Sequence, residues 1–241
     1  MTRYNGGIIG DLNEPSGAMS ATGGTVTTDG DYKVHVFTSN GTFDVTSTPS
    51  ASGIFDLKSQ YAYQKANKWP SGSAQLAELL MVGGGGGGGG TSNGWSANGA
   101  GAYTYQTTDY SVTAQSYSVV VGSGGSGGSP GYAGSVGTSS TFNGLDVQGG
   151  SSGKGDYCCP YGTRSGSAAT AGNIGSSADI TDDITGTSVT YGQNGPTPSL
   201  NSGHPSNTGN TGRGGSGSRN YGSQSGQSGR PGIVAMRYKF Q

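Results

Sequence analysis

Alternating apolar and polar positions predict β-strands near both ends of the chain. YKVHVF (32–37) alternates along its length, and Asn40-Gly41 separates it from TFDV (42–45). Asn-Gly between two β-prone runs is the usual signal for a two-residue hairpin turn, so we expect a β-hairpin over residues 32–46. GIVAMRYKFQ (232–241) also alternates, which predicts a closing strand at 233–240.

More strands, and one helix, are predicted between these ends. The strand candidates are rich in β-branched and aromatic residues: LAELLMV (76–82), AYTYQT (102–107), DYSVTA (109–114) and SYSVVVG (116–122). TFNGLDVQG (141–149) contains Asn-Gly and predicts a second hairpin. ASGIFDLKSQYAYQKANKWP (51–70) is poor in glycine and spaces its apolar residues three and four apart, which predicts one short α-helix near 53–67.

Glycine recurs every third residue in GSGGSGGSPGYAGSVG, from Gly122 to Gly137. Shorter runs of the same period lie around 209–215 and 226–232. A helix of the polyproline-II type has three residues per turn, so this period puts glycine on one face. Such helices can approach until backbone N–H groups meet backbone carbonyls. The pattern favours a polyglycine-II-like helix bundle; a compact β-structure with long glycine loops is the alternative.

Composition supports a fold that depends on backbone hydrogen bonds. The chain has 51 glycines among 241 residues and only 29% hydrophobic residues, too few for a large aliphatic core. We therefore predict a mostly β fold, with antiparallel β-hairpins and a short sandwich followed by the polyglycine-II-like bundle. Residues 1–70 are expected to form an N-terminal attachment region with the hairpin and the helix. Residues 71–241 are expected to form the glycine-rich domain, closed by strand 233–240.

Charge and apolar content exclude several classes of partner. Twelve basic and thirteen acidic residues give a net charge of -1 without a basic cluster, so no nucleic acid is expected. No apolar run approaches the roughly 20 residues of a membrane span, so no membrane insertion is expected. The first residues lack the basic start and apolar stretch of a signal peptide, which predicts synthesis in a cytoplasm without export by that route.

The residues with possible chemistry do not form a catalytic pattern, so no enzymatic activity, cofactor or metal is predicted. His35 and His204 are expected to be surface or packing residues. ADITDDITG (178–186) holds the densest acidic patch, which is interpreted as a solvated turn or helix cap, with a calcium site as the alternative. Cys158 and Cys159 are adjacent; two free thiols are expected, and a disulfide between neighbours is the alternative.

Aromatic residues in the glycine-rich loops are the candidate binding residues. Tyrosine and tryptophan beside Ser, Gly and Asn are typical of recognition loops, because rigid rings stand next to small adaptable hydrogen-bonding groups. Packing of these rings over the glycine helices is the alternative. The candidates are Trp95, Tyr132, Tyr157, Tyr161, Tyr191 and Tyr221.

The order of motifs resembles a known family. YKVHVFTSNGTFDV, AELLMVGGGGGGGG, GAYTYQTTDYSVTAQSYSVVVGSGG and the closing GIVAMRYKF follow one another as in the glycine-rich domain of bacteriophage tail-fibre and tail-tip proteins, especially those of marine phages. The glycine-rich part is similar in kind to the tip adhesins of T-even-like phages, whose glycine helices display receptor-binding loops. This chain differs from them in carrying β-hairpins ahead of the glycine region.

The resemblance implies a bacteriophage virion protein, a tail-fibre or tail-tip component that displays loops for host-receptor binding. It implies location on the virion, a homo-oligomeric state, and contacts with other tail proteins and with a host cell-surface glycan or outer-membrane protein. The alternative is a purely structural virion protein, such as a capsid decoration or a tail adaptor, without receptor binding.

Overall fold

The computed structural model describes residues 19–48, 61, 65, 75–155, 175, 179–196, 209–220 and 222–240. These residues are mostly β-structure with antiparallel sheets, as predicted, and essentially no helix. The strands are β1 (Ser20–Thr22), β2 (Thr25–Asp29), β3 (Tyr32–Phe37), β4 (Gly41–Ser47), β5 (Gln75–Val82), β6 (Gly94–Trp95), β7 (Thr104–Val112), β8 (Ser116–Val120), β9 (Ser140–Phe142), β10 (Leu145–Val147), β11 (Ile180–Asp182), β12 (Val189–Tyr191), β13 (Arg219–Asn220) and β14 (Ile233–Lys239).

Two five-stranded sheets form the main body of the described chain. One has the order β1-β4-β8-β9-β10, and the other has the order β2-β3-β14-β5-β7. Their inner faces share one apolar cluster, in which Phe43, Tyr117 and Phe142 of the first sheet meet Leu79 and Met236 of the second. The aromatic rings of the first sheet pack directly on one another, with centroids 5.4 Å apart for Tyr117 and Phe142. The small number of large apolar residues is thus concentrated between these two sheets.

A hairpin of strands β11 and β12 covers part of the other face of the second sheet. Ile184 and Tyr191 from this hairpin pack against Leu80, Ile233 and Ala235 of strands β5 and β14. This second cluster explains why both faces of β14 are apolar over its first four residues. The closing strand predicted at 233–240 is therefore confirmed, and it lies at the centre of its sheet between β3 and β5.

The predicted hairpin at 32–46 is wrong, although both of its strands exist. Strand β3 pairs with β2 and β14, whereas β4 pairs with β1 and β8 in the other sheet. The chain crosses between the sheets here because Phe37 and Phe43 both face the shared core. Asn40 does not form a hairpin turn; its side-chain oxygen accepts a hydrogen bond from the backbone N–H of Val121 at 2.9 Å.

The second Asn-Gly hairpin is confirmed. Strands β9 and β10 pair in antiparallel register, with Phe142 opposite Leu145. Asn143 and Gly144 between them have φ angles of 47° and 86°. Two successive positive φ angles are the requirement of the type I′ turn that suits a two-residue hairpin.

The predicted helix near 53–67 lies outside the described residues, apart from Tyr61 and Lys65, which have helical conformation. The predicted boundary at residue 70 separates strands that pack together. Strands β2, β3 and β4 precede it and share both sheets with strands that follow it.

The longest glycine run, Gly83–Gly90, continues directly from β5 and is called the central segment here. Backbone hydrogen bonds join it to six surrounding segments, within the described residues. It donates to the segments 97–103, 132–138 and 224–230, and it accepts from the segments 122–129, 149–155 and 212–218. Residues three apart contact the same neighbour; Gly84, Gly87 and Gly90, for example, donate to Thr138, Ser135 and Tyr132.

The six surrounding segments also bond to one another and close a ring. The three that accept from the central segment run antiparallel to it, the three that donate run parallel, and the two kinds alternate around it. Each antiparallel segment donates to a parallel neighbour on either side, as in Ser135 N to Ser126 O at 2.8 Å and Gly137 N to Gly150 O at 2.9 Å. A chain region without helix or strand therefore pairs its backbone N–H and carbonyl groups through hydrogen bonds between segments.

Candidate functional site: the distal end of the glycine-rich region

The glycine-rich region has two unlike ends. At the level of Gly83 and Gly84, five of the six surrounding segments continue into strands of the two sheets, namely β7, β8, β9, β10 and β14. At the level of Gly89, Gly90 and Thr91, residues 91–96 and residues 130–131 instead join successive segments outside the two five-stranded sheets. We call this second end the distal end. It is the part of the described glycine-rich region that lies farthest along the segments from the sheets.

A polar network closes the distal end. Thr91 is fully buried and exchanges two backbone hydrogen bonds with Gln224, each of 2.8 Å. The Ser96 hydroxyl donates to the carbonyl of Gly89 at 2.6 Å, and the backbone N–H of Ser218 donates to the same hydroxyl at 2.7 Å. Ser218 is also fully buried. Side-chain hydroxyls of Ser96 and Ser218 thus satisfy the carbonyl of Gly89 near the end of the central segment.

Sequence reasoning missed this network. Ser96 and Ser218 stand in the runs WSANG and GSGSR, where serine resembles a spacer between glycines. The short strands β6 and β13, which lie next to Ser96 and Ser218 in the chain, were also not predicted. They pair in antiparallel register, with Arg219 opposite Trp95, and so tie the connection 91–96 to residues 219–220.

Tyr132 lies at the distal end with its side chain in solvent. It follows the tight connection Pro130-Gly131, and its backbone N–H donates to Ser129 O at 2.9 Å. Its own carbonyl accepts from Gly90 N at 2.9 Å, so the backbone position is fixed by the central segment. The residue is 65% exposed, and Val136 on the same segment is 63% exposed. An aromatic ring is thus presented from a backbone that is held by hydrogen bonds.

Trp95 also lies at this end, in strand β6, by virtue of its backbone pairing with Arg219. Tyr157, Tyr161 and Tyr221 lie outside the described residues. Tyr157 and Tyr161 follow the segment 149–155 in sequence, and Tyr221 follows β13.

Tyr191 differs from the expectation that it belongs to an exposed loop. It ends strand β12 and is 2% exposed, since its ring packs in the second apolar cluster. Burial raises the pKa of its hydroxyl; a hydrogen bond from Thr185 opposes this shift, and the charge of Asp182 adds to it. This ring belongs to the core and is not available to a partner.

The acidic patch 178–186 has structural partners where it is described. Asp182 accepts the backbone N–H of Ile184 at 2.7 Å and is hydrogen-bonded by Gln106. Asp183 lies 3.3 Å from the guanidinium of Arg237. The described residues contain no group of three or more His, Cys, Asp or Glu side chains that could hold a metal ion. Asp182 is 8% exposed at the end of β11, so it is not solvated as the turn interpretation expected, whereas Asp183 is exposed.

The side chains of the described distal end are mainly neutral. Hydroxyl and amide groups predominate there, with Lys154 and Arg219 as the charged residues of the segments that end at this level. Such a surface offers hydrogen bonds and an aromatic face rather than a strong electrostatic field.

Comparison with known proteins identifies a family for this chain. Residues 62–239 match the family model described as a glycine-rich domain, which covers well over half of the chain. No curated protein matches the chain. Within the described residues, no helix is long and apolar enough to cross a membrane.

Proposed function

The chain belongs to the glycine-rich domain family, and from this premise we propose that it is a bacteriophage virion protein, a tail-fibre or tail-tip component that displays loops for host-receptor binding. In this proposal the sheets and the region around 1–70 face the particle. The distal end of the glycine-rich region faces the host cell.

The glycine segments, in the same proposal, form a polyglycine-II-like helix bundle. Three features support it: the three-residue period of the hydrogen bonds, the six neighbours of the central segment, and the alternation of parallel and antiparallel segments. At a rise of ~3.1 Å per residue, eight residues would carry the distal end about 25 Å from the sheets.

The observation that carries the receptor-binding proposal is the placement of Tyr132. Its backbone is bonded to the central segment through Gly90, while its side chain is 65% exposed at the end opposite the sheets. A ring held in this way loses little conformational entropy on binding, because its backbone is already ordered. Trp95 is at the same end by its backbone, and Tyr157, Tyr161 and Tyr221 are the further candidates from the sequence.

The partners follow from the chemistry of this end. Neutral hydroxyl and amide groups beside an aromatic ring suit a host cell-surface glycan or a polar surface of an outer-membrane protein. Other tail proteins would hold the opposite end, and a homo-oligomer would present several copies of the loops at once, which raises avidity. The protein would be synthesised in the host cytoplasm and would function on the virion.

Adsorption competition tests the proposal. Purified full-length protein is added to host cells before the phage, and the fraction of adsorbed phage is measured. The expected result is a block of adsorption that Tyr132→Ala weakens at least about tenfold, as expected for the loss of a binding hot spot. Trp95→Ala and Tyr161→Ala extend the test to the other candidates.

Tyr61→Ala is the matched control, since Tyr61 is 67% exposed but precedes the glycine-rich segments. This variant should block adsorption as well as the unmodified protein. If the native oligomer neither binds cells nor blocks the phage, receptor binding is excluded and the purely structural virion role replaces it.

A further inference from the structure

His35 is a titratable residue in the middle of the apolar core. It lies in strand β3 and is fully buried. Its ring stacks on Tyr238, with centroids 5.6 Å apart, and meets Phe43 edge-on at 5.0 Å. The first contact belongs to its own sheet and the second to the opposite sheet. The ring therefore lies where the two sheets meet, and the proposed receptor-binding role makes no use of it.

The hydrogen bonds of His35 define its protonation state. Nδ1 lies 2.8 Å from the carbonyl oxygen of Gly23, which can only accept, so Nδ1 carries the proton. Nε2 lies 3.3 Å from the hydroxyl of Tyr238 and is the acceptor in the neutral ring. The Tyr238 hydroxyl is in turn hydrogen-bonded by the backbone of Ala21. One chain of hydrogen bonds thus connects the ring to residues 21 and 23.

The hydrogen bonds of His35 and Tyr238 reach residues 20–29, called the β1–β2 segment here. Strand β1 is an edge strand of one sheet, and β2 is an edge strand of the other. Gly23 and Gly24 join them with φ angles of 109° and 65° in a crossing too tight for a side chain. All five residues of β2 are exposed, and each strand has one pairing partner. Because each strand lies at the edge of its sheet, local opening here costs less than global unfolding.

The surroundings of His35 disfavour a positive charge. The elements packed on the ring contribute Tyr238 from β14, Phe43 from β4 and the Gly23 carbonyl from the crossing. The nearby cation is Lys33 on its own strand. None of the described carboxylates is hydrogen-bonded or ion-paired to the ring. An imidazolium formed here would be buried without a counter-ion, and it would turn a second N–H toward the Tyr238 hydroxyl.

We propose that His35 is an acid-sensitive latch, and that protonation of its ring releases the β1–β2 segment from the two sheets while the rest of the sheets stays folded. Opening exposes the ring to water, where it accepts the proton without the cost of burial. Closure at neutral pH expels that proton and restores the bonds to Gly23 and Tyr238. The segment is thus held at neutral pH and freed in an acidic environment.

The pKa of His35 has the direction that the latch requires. Burial lowers it from 6.5, the hydrogen bond to Gly23 opposes this shift, and the charge of Lys33 adds to it. A lowered pKa in the closed state means that the open state binds more protons. The closed state is therefore fully favoured above pH 6.5 and loses stability as the pH falls below that value.

Hydrogen–deuterium exchange measured by mass spectrometry tests the latch on the full-length protein. Exchange of residues 20–29 is recorded between about pH 7.5 and pH 5 and corrected for the intrinsic rate of each amide. The expected result is an opening equilibrium that rises as the pH falls below 6.5, by at most about tenfold per pH unit. Amides of β8 and β9 should stay protected over the same range, and protection should return at neutral pH.

Two variants identify the titrating group. His35→Gln keeps a polar side chain that can donate to Gly23 but does not titrate, so its exchange in residues 20–29 should not depend on pH. The chain has two histidines, and His204→Gln should behave like the unmodified protein. Flat exchange in the unmodified protein overturns the latch. So does equal opening of β8 and β9, or a pH dependence that survives in His35→Gln.

A second measurement covers the case in which His35→Gln fails to fold. The His204→Gln variant leaves one histidine, whose ring-proton resonance reports its titration in NMR spectra. The proposal expects a midpoint below 6.5 that coincides with the loss of protection in residues 20–29. A midpoint at or above that value overturns it.

Discussion

Gly87 lies against Ser126 so closely that a Cβ on Gly87 would be 2.0 Å from the Ser126 carbonyl oxygen. The same relationship holds for every residue of the central segment, with such distances between 1.9 and 2.2 Å. The contacts of this segment are to backbone atoms on all sides, and a backbone held in a hydrogen-bonded ring cannot move away independently. The central segment consists of glycine alone because it has no face that points to solvent.

Gly87→Ala should therefore destabilise the protein severely. We expect a loss of about 3 kcal/mol or more in the free energy of unfolding, at the upper end of the range for overpacked sites. Urea denaturation followed by circular dichroism measures it.

The control for this substitution is Gly222→Ala. No atom lies within 4 Å of a Cβ added to Gly222, and its φ angle is not in the left-handed region. This variant should stay within about 0.5 kcal/mol of the unmodified protein, as is usual for surface changes. Equal effects of the two substitutions would contradict the backbone-contact explanation.

The two asparagines that precede glycine both bond to other parts of the chain through their side chains. Asn143 has a φ angle of 47°, a conformation that glycine adopts without strain, so Asn143→Gly should cost only the hydrogen bond between the Asn143 side chain and the Tyr110 hydroxyl, about 1 kcal/mol. Asn40 instead holds the backbone N–H of Val121 through its side chain. Asn40→Gly removes this bond and should cost about 1 kcal/mol.

Thermal denaturation of the two variants under identical conditions checks this pair of predictions. Asn40→Asp keeps the accepting oxygen and should retain most of the stability that Asn40→Gly loses. Unchanged stability in Asn40→Gly would contradict the role assigned to the bond between Asn40 and Val121.

The same two asparagines show how far the sequence determines this fold. Local patterns predicted the strands and the turn at Asn143-Gly144, because a hairpin depends on residues close in sequence. Local patterns failed at Asn40-Gly41, because β4 does not pair with β3. It pairs with β1 and with β8, and β8 lies more than 70 residues later. Which sheet a strand joins depends on the common core of Phe37 and Phe43 and not on the residues between them.

The candidate site was predictable in part, for a similar reason. Tyr132 stands beside Pro130-Gly131, and this turn chemistry indicated an exposed loop. Tyr191 has glycine next to it in sequence, which gave the same indication, but residues 180–191 pair as a hairpin that covers β5 and β14. The bonds of Ser218 with Gly89 and Ser96 join residues more than 120 positions apart in the chain, so no local pattern marks them.

The ion pair of Arg237 with Glu78 should contribute more to stability than the ion pair of Lys239 with Asp31. Its Nε and Nη2 atoms lie 2.8 and 2.7 Å from one Glu78 oxygen, and the two side chains are 18% and 27% exposed. Arg237→Met leaves the Glu78 carboxylate partly buried without its main partner. We expect a loss of about 2 kcal/mol, which is typical of a hydrogen bond to a charged group.

Lys239 provides the comparison, because its ammonium group is 3.8 Å from Asp31 and both side chains are more than half exposed. Lys239→Met should cost less than about 0.5 kcal/mol, since exposed pairs of this kind contribute little. Chemical denaturation at low and high salt separates the two cases. The prediction fails if the two variants lose the same stability.

Alkaline pH should weaken the apolar clusters through their buried tyrosines. Burial raises the pKa of Tyr110, Tyr191 and Tyr238 above 10.0. The unfolded chain then releases these protons at lower pH than the folded protein does. The stabilisation is therefore fully present below pH 10.0 and is lost as the pH rises through the raised values.

Denaturation curves between about pH 9 and pH 11 measure this loss, on the basis of the ordinary tyrosine value near 10. Tyr191→Phe keeps the buried ring and removes the titrating hydroxyl, whose hydrogen bond with Thr185 is long at 3.5 Å. This variant should lose less stability over the range than the unmodified protein does. Tyr132→Phe is the control, because Tyr132 is exposed at the distal end and belongs to neither apolar cluster. If Tyr191→Phe keeps the full dependence, ionisation of that buried hydroxyl is not a cause of the alkaline loss.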